Sequence, residues 1–223
     1  MPVTVENGIV VNIPDRMLYF FKESKLATAF PVGLGMSLKD DRTVWRTPAG
    51  KFRITAKGKN PTWYVPESIQ EEMKIEGKPV LTIVLPGPDN PLGKYALKTS
   101  IQGILIHETI WPNSVYQFRS HGCIRVLPEH MKEFFNEIEL NTGGEIIYKP
   151  VKIAVSDEGR VFIEVHRDVY QKLKNLKTEI KKLLMDKEAA DKVDWQKVDT
   201  ILKEKTGIAE DVTKTEISQR HAR

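Results

Sequence analysis

Ile104-Leu105-Ile106-His107 and, shortly after it, Ser120-His121-Gly122-Cys123-Ile124-Arg125 are the two stretches on which the rest of the chain is read. The first is an apolar run ending in a histidine, as a buried strand would place it. The second holds the only cysteine of the sequence. One cysteine cannot form an internal disulfide. A thiol with small and basic neighbours, and a histidine on a nearby strand, fits a nucleophile with its base. Cysteine attacks as the thiolate, which cationic neighbours and exposed N–H groups favour. Histidine titrates near neutrality and is the natural partner. The plainer alternative is an inert Cys on a strand, but that role requires neither Ser-His before the residue nor Gly beside it.

Several collinear motifs extend the pattern: Thr47-Pro48-Ala49-Gly50-Lys51-Phe52, Asn60-Pro61-Thr62-Trp63 with Pro66, Pro86-Gly87-Pro88-Asp89-Asn90-Pro91-Leu92-Gly93, and Tyr95-Ala96-Leu97. With His107 and Ser120-His121-Gly122-Cys123-Ile124-Arg125, they resemble the L,D-transpeptidase catalytic domain of bacterial cell-wall enzymes. The resemblance runs from about Gly8 to about Tyr170. It departs in one place: Glu108 stands where that family usually has glycine, setting a carboxylate beside the candidate base.

The 223 residues are 40% hydrophobic and 29% charged, with a formal net charge of +4. This is ordinary composition for a water-facing domain with an appendage. No apolar run approaches the ~20 residues of a membrane-spanning helix. The modest basic excess reads as solvated surface. No aromatic-interleaved Lys/Arg stripe points to nucleic acid. Five histidines and one cysteine are scattered without CxxC or HExxH spacing, so no metal site is expected. The N-terminus lacks the charged-then-apolar pattern of a secretion signal. Because members of the resembling family act outside the cytoplasmic membrane, a periplasmic or cell-envelope location is expected, with the chain starting after its export signal. An unusual cytosolic member is the alternative.

Residues 8–165 predict a mainly β fold, a sandwich or barrel of short strands punctuated by Gly and Pro. Strands are expected around Ile9–Ile13, Met17–Phe21, Leu26–Val32, Phe52–Thr55, Ile104–His107, Glu145–Lys149, Lys152–Val155 and Arg160–Val165, with a hairpin turn at Asp157-Glu158-Gly159. The continuous apolar run Val80–Leu85 reads as a further, buried strand. One helix follows the cysteine motif, opened by Pro128 and carrying Met131, Phe134, Phe135 and Ile138 at helical spacing. From Val169 the pattern turns helical. Leu173, Leu176, Ile180, Leu183 and Leu184 form one face, and Asp194 caps a second helix with Trp195, Val198, Ile201 and Leu202, stopped at Gly207. The organisation expected is a catalytic domain over 8–168, a helical hairpin over 169–212 that packs on the β domain or serves as a lid or partner contact, and a frayed tail over 213–223.

The chemistry assigns roles residue by residue. Cys123 is the nucleophile. The resemblance gives His107 the role of general base. His121 would share a face with Cys123 in a regular strand and competes for that role. Ser120 either orients the base or closes the loop. Gly122 allows close backbone approach, and its N–H and that of Cys123 are candidates for an oxyanion hole. Arg125 suits a substrate carboxylate, or else pairs with Glu129 or Glu108. Trp63, Tyr95 and Trp111 are candidate substrate-groove residues. No cofactor is needed. The resemblance implies attack on a peptidoglycan tetrapeptide stem, loss of terminal D-alanine, a thioester, and resolution by a second stem or a lipoprotein amine. The same thiol serves an L,D-carboxypeptidase or a peptidoglycan–lipoprotein hydrolase. A non-catalytic wall-binding scaffold is the alternative from another class.

Overall fold

The computed structural model describes residues 5–37 and 45–215. Contacts divide the chain into two compact units, with the division between Ile147 and Tyr148.

The first unit is built on the strands β1 (Gly8–Asn12), β2 (Met17–Lys22), β3 (Lys25–Gly35) and β4 (Gly50–Lys59). An excursion follows, with β5 (Trp63–Tyr64), α1 (Glu67–Ile75) and β6 (Ile83–Val84). The chain continues through β7 (Tyr95–Thr99), β8 (Leu105–Glu108), a 3-10 turn (Pro112–Ser114), β9 (Phe118–Ser120), β10 (Ile124–Val126), α2 (Pro128–Glu137) and β11 (Gly143–Ile147). The pairing order β10-β8-β7-β4-β11-β1-β2-β3 closes on itself because β3 also pairs with β10. Of the two architectures the sequence allowed, this is the barrel: eight strands, mixed in direction. β1 runs parallel to β11 and β8 parallel to β10, while the remaining barrel pairs are antiparallel. β9 is added outside the ring, parallel to the end of β3. Closure leaves the eight ring strands without a free edge, which is how a barrel of short strands avoids edge-to-edge association.

Alternation fixes which side chains enter the core. Ile106 on β8 and Ile124 and Val126 on β10 are fully buried, and Leu97 on β7 joins them. α2 begins with Pro at its first turn, as the sequence predicts, and buries Met131, Phe134 and Phe135. Phe134 meets Phe20 and Phe30 edge-on at 5.8 and 5.3 Å, geometry that aromatic quadrupoles favour. Each fully buried apolar side chain of this size stabilises the fold by roughly 1.5–3 kcal/mol. α2 therefore anchors the chain directly after β10.

The excursion departs from expectation. The run over 80–85 is not a buried strand. Only Ile83 and Val84 pair, with Trp63 and Tyr64. Leu81, Ile83 and Leu85 are 45%, 50% and 72% exposed. The run has one partner, a two-residue strand, and lies outside the barrel order, so no second layer covers it. α1 was not expected at all. It has no fully buried residue, and its half-buried apolar pair, Ile69 and Met73, is too short a stripe to predict a helix.

The second unit holds β12 (Val151–Val155), β13 (Val161–Val165), α3 (Leu176–Asp186), α4 (Trp195–Glu204) and β14 (Glu210–Asp211). The two strands that the sequence groups with the catalytic domain form a sheet with β14, and α3 and α4 pack on that sheet. Val161, Ile163 and Val165 make one core with Ile180, Leu184, Val198 and Ile201. The turn at 157–159 closes through the Gly159 N–H on the Ser156 carbonyl. The helix caps are Asn175, accepting from Lys177 and Thr178, and Asp194, accepting from Gln196.

Candidate active site

β8 and β10 lie side by side and parallel, with Arg125 opposite His107 and Ile124 opposite Ile106. Paired residues on neighbouring strands share a face, and residues two apart on one strand do too. Leu105, His107 and Arg125 therefore point to the face opposite the Ile106–Ile124 core. Cys123, just before β10, lies on this face against Leu105: its Sγ accepts from the Leu105 N–H and its S–H aims at the Gly103 carbonyl, both at 3.4 Å.

The cysteine loop is held by hydroxyls. Ser120 Oγ donates to the Cys123 carbonyl at 2.6 Å and accepts from the Gly122 N–H at 3.2 Å. Of its two expected roles, the structure gives Ser120 loop closure. Thr47 Oγ1 donates to the Gly122 carbonyl and accepts from the Gly35 N–H, both at 2.9 Å. Thr47 is fully buried, so the Thr-Pro-Ala-Gly motif has a function the sequence did not disclose: it ties the loop to β3. Gly122 has φ of +108°, and a Cβ there would meet Ile104 Cδ1 at 3.1 Å, so the position requires glycine. With the Gly122 N–H committed to Ser120, the Cys123 N–H is the stronger oxyanion candidate of the two.

His107 is 4% exposed, and its Nδ1 lies 2.6 Å from the Glu108 carbonyl. An Nδ1–H donating to that oxygen leaves Nε2 as the lone-pair nitrogen, the form a general base needs. The orienting third group is thus a backbone carbonyl, which no side-chain motif can reveal. Removal from water holds His107 down at about 4, against the raising effect of the Glu108 carbonyl, and the Arg125 charge lowers it further. Burial also pushes the Cys123 thiol up, outweighing the Leu105 N–H and Arg125, which favour the thiolate. The expected lowering of the thiol pKa by cationic neighbours is real but smaller than the desolvation. At neutral pH the resting pair is a neutral thiol and a neutral imidazole.

His121 does not accompany Cys123 as strand alternation suggested, because the positive φ at Gly122 breaks the strand between them. Its ring lies 3.9 Å from that of Trp45, and its Nε2 is 2.8 Å from Glu72 Oε2 on α1. This pair links the catalytic loop to the excursion. Glu108 points away from His107. A Cβ on Gly93 would fall 2.7 Å from the Glu108 Cβ, so Gly93, with φ of +61°, makes room for this side chain. No ion pair joins Glu108 to Arg119 or Arg125 among the described residues.

Arg125 pairs with neither Glu129 nor Glu108. Its guanidinium lies over the Trp111 ring, 5.2 Å from the centroid, and Trp111 is 49% exposed. The structure brings these two to the Cys123 face. Trp63 sits on the excursion, half-buried. Tyr95 is on the other face of β7 from Ala96, the partner of His107, and packs 4.9 Å from Phe135 of α2, away from the thiol.

The L,D-transpeptidase catalytic domain (YkuD) model matches residues 6–153. The curated "Probable L,D-transpeptidase YbiS" of Escherichia coli is 33% identical over 167 residues, covering 74% of this chain and 53% of that protein. The chain thus spans about half the length of this relative. "Probable L,D-transpeptidase ErfK/SrfK" of Salmonella typhimurium is 28% identical over 215 residues, 93% of this chain and 68% of that protein. Among solved structures, the E. faecium L,D-transpeptidase catalytic domain acylated by ertapenem is 23% identical, covering 66% of this chain and 98% of that one, with a TM-score of 0.46. With its cysteine loop, its strand-borne histidine and the family match across the whole barrel, the chain belongs to the L,D-transpeptidase catalytic domain family.

Proposed function

We propose that this protein is a cysteine-dependent L,D-transpeptidase of the bacterial cell envelope, acting on peptidoglycan tetrapeptide stems. The observation that carries this reading is the shared face of β8 and β10, with Cys123 beside Leu105 and His107 fixed by the Glu108 carbonyl. The Cys123 proton passes to His107 Nε2 as sulfur bonds to the carbonyl carbon at the L-centre of the third stem residue. The C–N bond then breaks, and His107 returns the proton to the departing amine of D-alanine. A thioester remains on Cys123. An acceptor amine attacks it, loses a proton through His107 to the thiolate, and leaves joined to the stem by a new amide. The Cys123 N–H faces the charge that develops on the carbonyl oxygen. The neutral resting pair suits this route, because sulfur is deprotonated only as it attacks. A second stem or a lipoprotein lysine supplies the amine. Among the described residues, no helix is long and apolar enough to cross a membrane.

The test is product analysis by mass spectrometry with disaccharide tetrapeptide. A cross-linked dimer and free D-alanine are expected, both absent from Cys123→Ala. D-alanine release with no dimer, even when acceptor amine is added, would make the enzyme a carboxypeptidase and overturn the transferase reading.

A further inference from the structure

A groove of about 440 Å³ lies wholly within the second unit, between α3, Ala190 and the first turn of α4. That volume falls in the range of roughly 300–1,000 Å³ typical of small-ligand sites. Helical spacing builds one wall. Lys177, Lys181 and Met185 recur every fourth residue, so they line one stripe of α3, while Ile180 and Leu184 turn into the core. Trp195 builds the other wall. Its indole packs partly on that core and leaves the rest of its surface to the groove. Met185, at the end of the stripe, is 68% exposed.

The polar side-chain atoms of this lining are all donors. Lys177 is held by Asp199 of α4. The Lys181 ammonium lies over the Trp195 ring, 5.8 Å from its centroid, and so occupies the ring face that a cationic ligand would use. Among the described residues no carboxylate pairs with Lys181, and no acceptor meets the Trp195 indole N–H. A ligand meets an indole, a thioether and two ammonium groups, which together favour an anion with an apolar body. Length narrows the class. From Lys177 to Met185 the stripe runs about 12 Å along the helix. At ~3.3 Å per residue, that is the span of an extended peptide of about four residues.

We propose that this groove is a non-catalytic binding site for a short acidic peptide, of the stem class that the first unit processes. The identity of the peptide rests on the acyl-transfer reading above. A carboxylate of the stem meets Lys181 and the indole N–H, and an aliphatic side chain lies against Met185 and Ala190. The wall polymer carries many stems. Because both units belong to one chain, a stem held by the second raises the local concentration of its neighbours for the first. The hold is weak and reversible, since exposed charges contribute little one by one.

The test follows the indole N–H resonances of the full chain carrying Cys123→Ala, which binds peptide without consuming it. There are four tryptophans, and Trp195→Phe identifies the signal of Trp195 by its loss. An N-acetylated tetrapeptide stem is expected to shift that signal saturably. The same peptide with every carboxyl amidated should bind at least about fivefold more weakly, the scale of one exposed ion pair. Lys181→Glu should weaken binding of the stem by at least the same factor. Lys182→Glu makes an equal change of charge on an exposed neighbour outside the groove, and should weaken binding less than about twofold. Equal losses at Lys181 and Lys182, or an amide that binds as well as the acid, overturn the proposal. A neutral trimer of N-acetylglucosamine that shifts Trp195 as strongly as the stem overturns it too, because the groove then reads sugar. A Trp195 signal that the stem leaves unmoved defeats this site, whether or not wild type forms the thioester. A saturable, carboxyl-dependent shift with no thioester in wild type defeats acyl transfer while the site stands.

Discussion

The two histidines of the site region mark two differently built parts of the molecule. His107 sits on β8, buried, locked by a backbone carbonyl and flanked by paired strands. His121 sits in the loop, half-buried, engaged by Glu72 from a helix with no fully buried residue. The first is fixed by the barrel ladder, the second by side-chain contacts at a surface. On the proposed mechanism, adjacency to the cysteine in sequence is a poor guide to the base. A residue two places from Cys123 is turned aside by one glycine, and one from the neighbouring strand lies on the Cys123 face with its ring fixed.

The strongest way to break this contrast is to remove the strand-borne groups. Cys123→Ala should abolish acyl-enzyme formation, and Cys123→Ser should leave at most a trace, since serine lacks the intrinsic nucleophilicity of sulfur. His107→Ala should slow acylation at least ~10²-fold, while His121→Ala should slow it far less. A larger loss at His121 in a folded variant would reverse the roles.

The electrostatics sharpen the same comparison. A folded-state value of about 4 for His107, below its unfolded value of ~6.5, means the unfolded chain takes up a proton that the folded chain refuses. Stability from this group is complete above pH ~6.5 and is lost progressively as pH falls toward 4. Denaturant midpoints across that window should slope less in His107→Gln than in wild type. Alkylation of Cys123 by iodoacetamide should rise with a midpoint above that of a free thiol, because burial raises the Cys123 pKa. The alkylation midpoint of the resting protein therefore does not separate an enzyme from a scaffold, because burial alone raises it in either case.

Smaller effects are expected from side chains that do not reach Cys123. Glu108→Gly should leave acylation within about tenfold, or ~1.4 kcal/mol in barrier, because the carboxylate faces Gly93 and only the backbone carbonyl serves His107. Glu72→Ala breaks a partly exposed pair, worth at most about 1 kcal/mol. Its signature should be faster hydrogen exchange over 67–75, with β8 and β10 unchanged.

Much of the barrel was legible, because the alternation along β1 and β4, the apolar runs of β2 and β8 and the Pro-led amphipathic α2 follow local rules. The cysteine and the strand histidine were legible through motif and chemistry. What escaped depended on tertiary context. The 80–85 run reads as core, yet lies on an excursion without a covering layer. α1 carries only a short apolar pair, Ile69 and Met73, to announce it. The strands 151–155 and 161–165 are ordinary hairpin strands whose sequence does not say that their sheet will take α3 and α4. The group that orients His107 is a carbonyl, Thr47 serves a loop far along the chain, and Tyr95 sits on the wrong side of β7 for a groove.

The most direct test of the whole account is the intact mass of the protein after mixing with one defined tetrapeptide stem. The prediction is a gain equal to the stem less its terminal D-alanine, localised to Cys123, slowed at least ~10²-fold in His107→Ala and absent in Cys123→Ala. An unmodified wild-type mass, or an adduct at any residue other than Cys123, would contradict it.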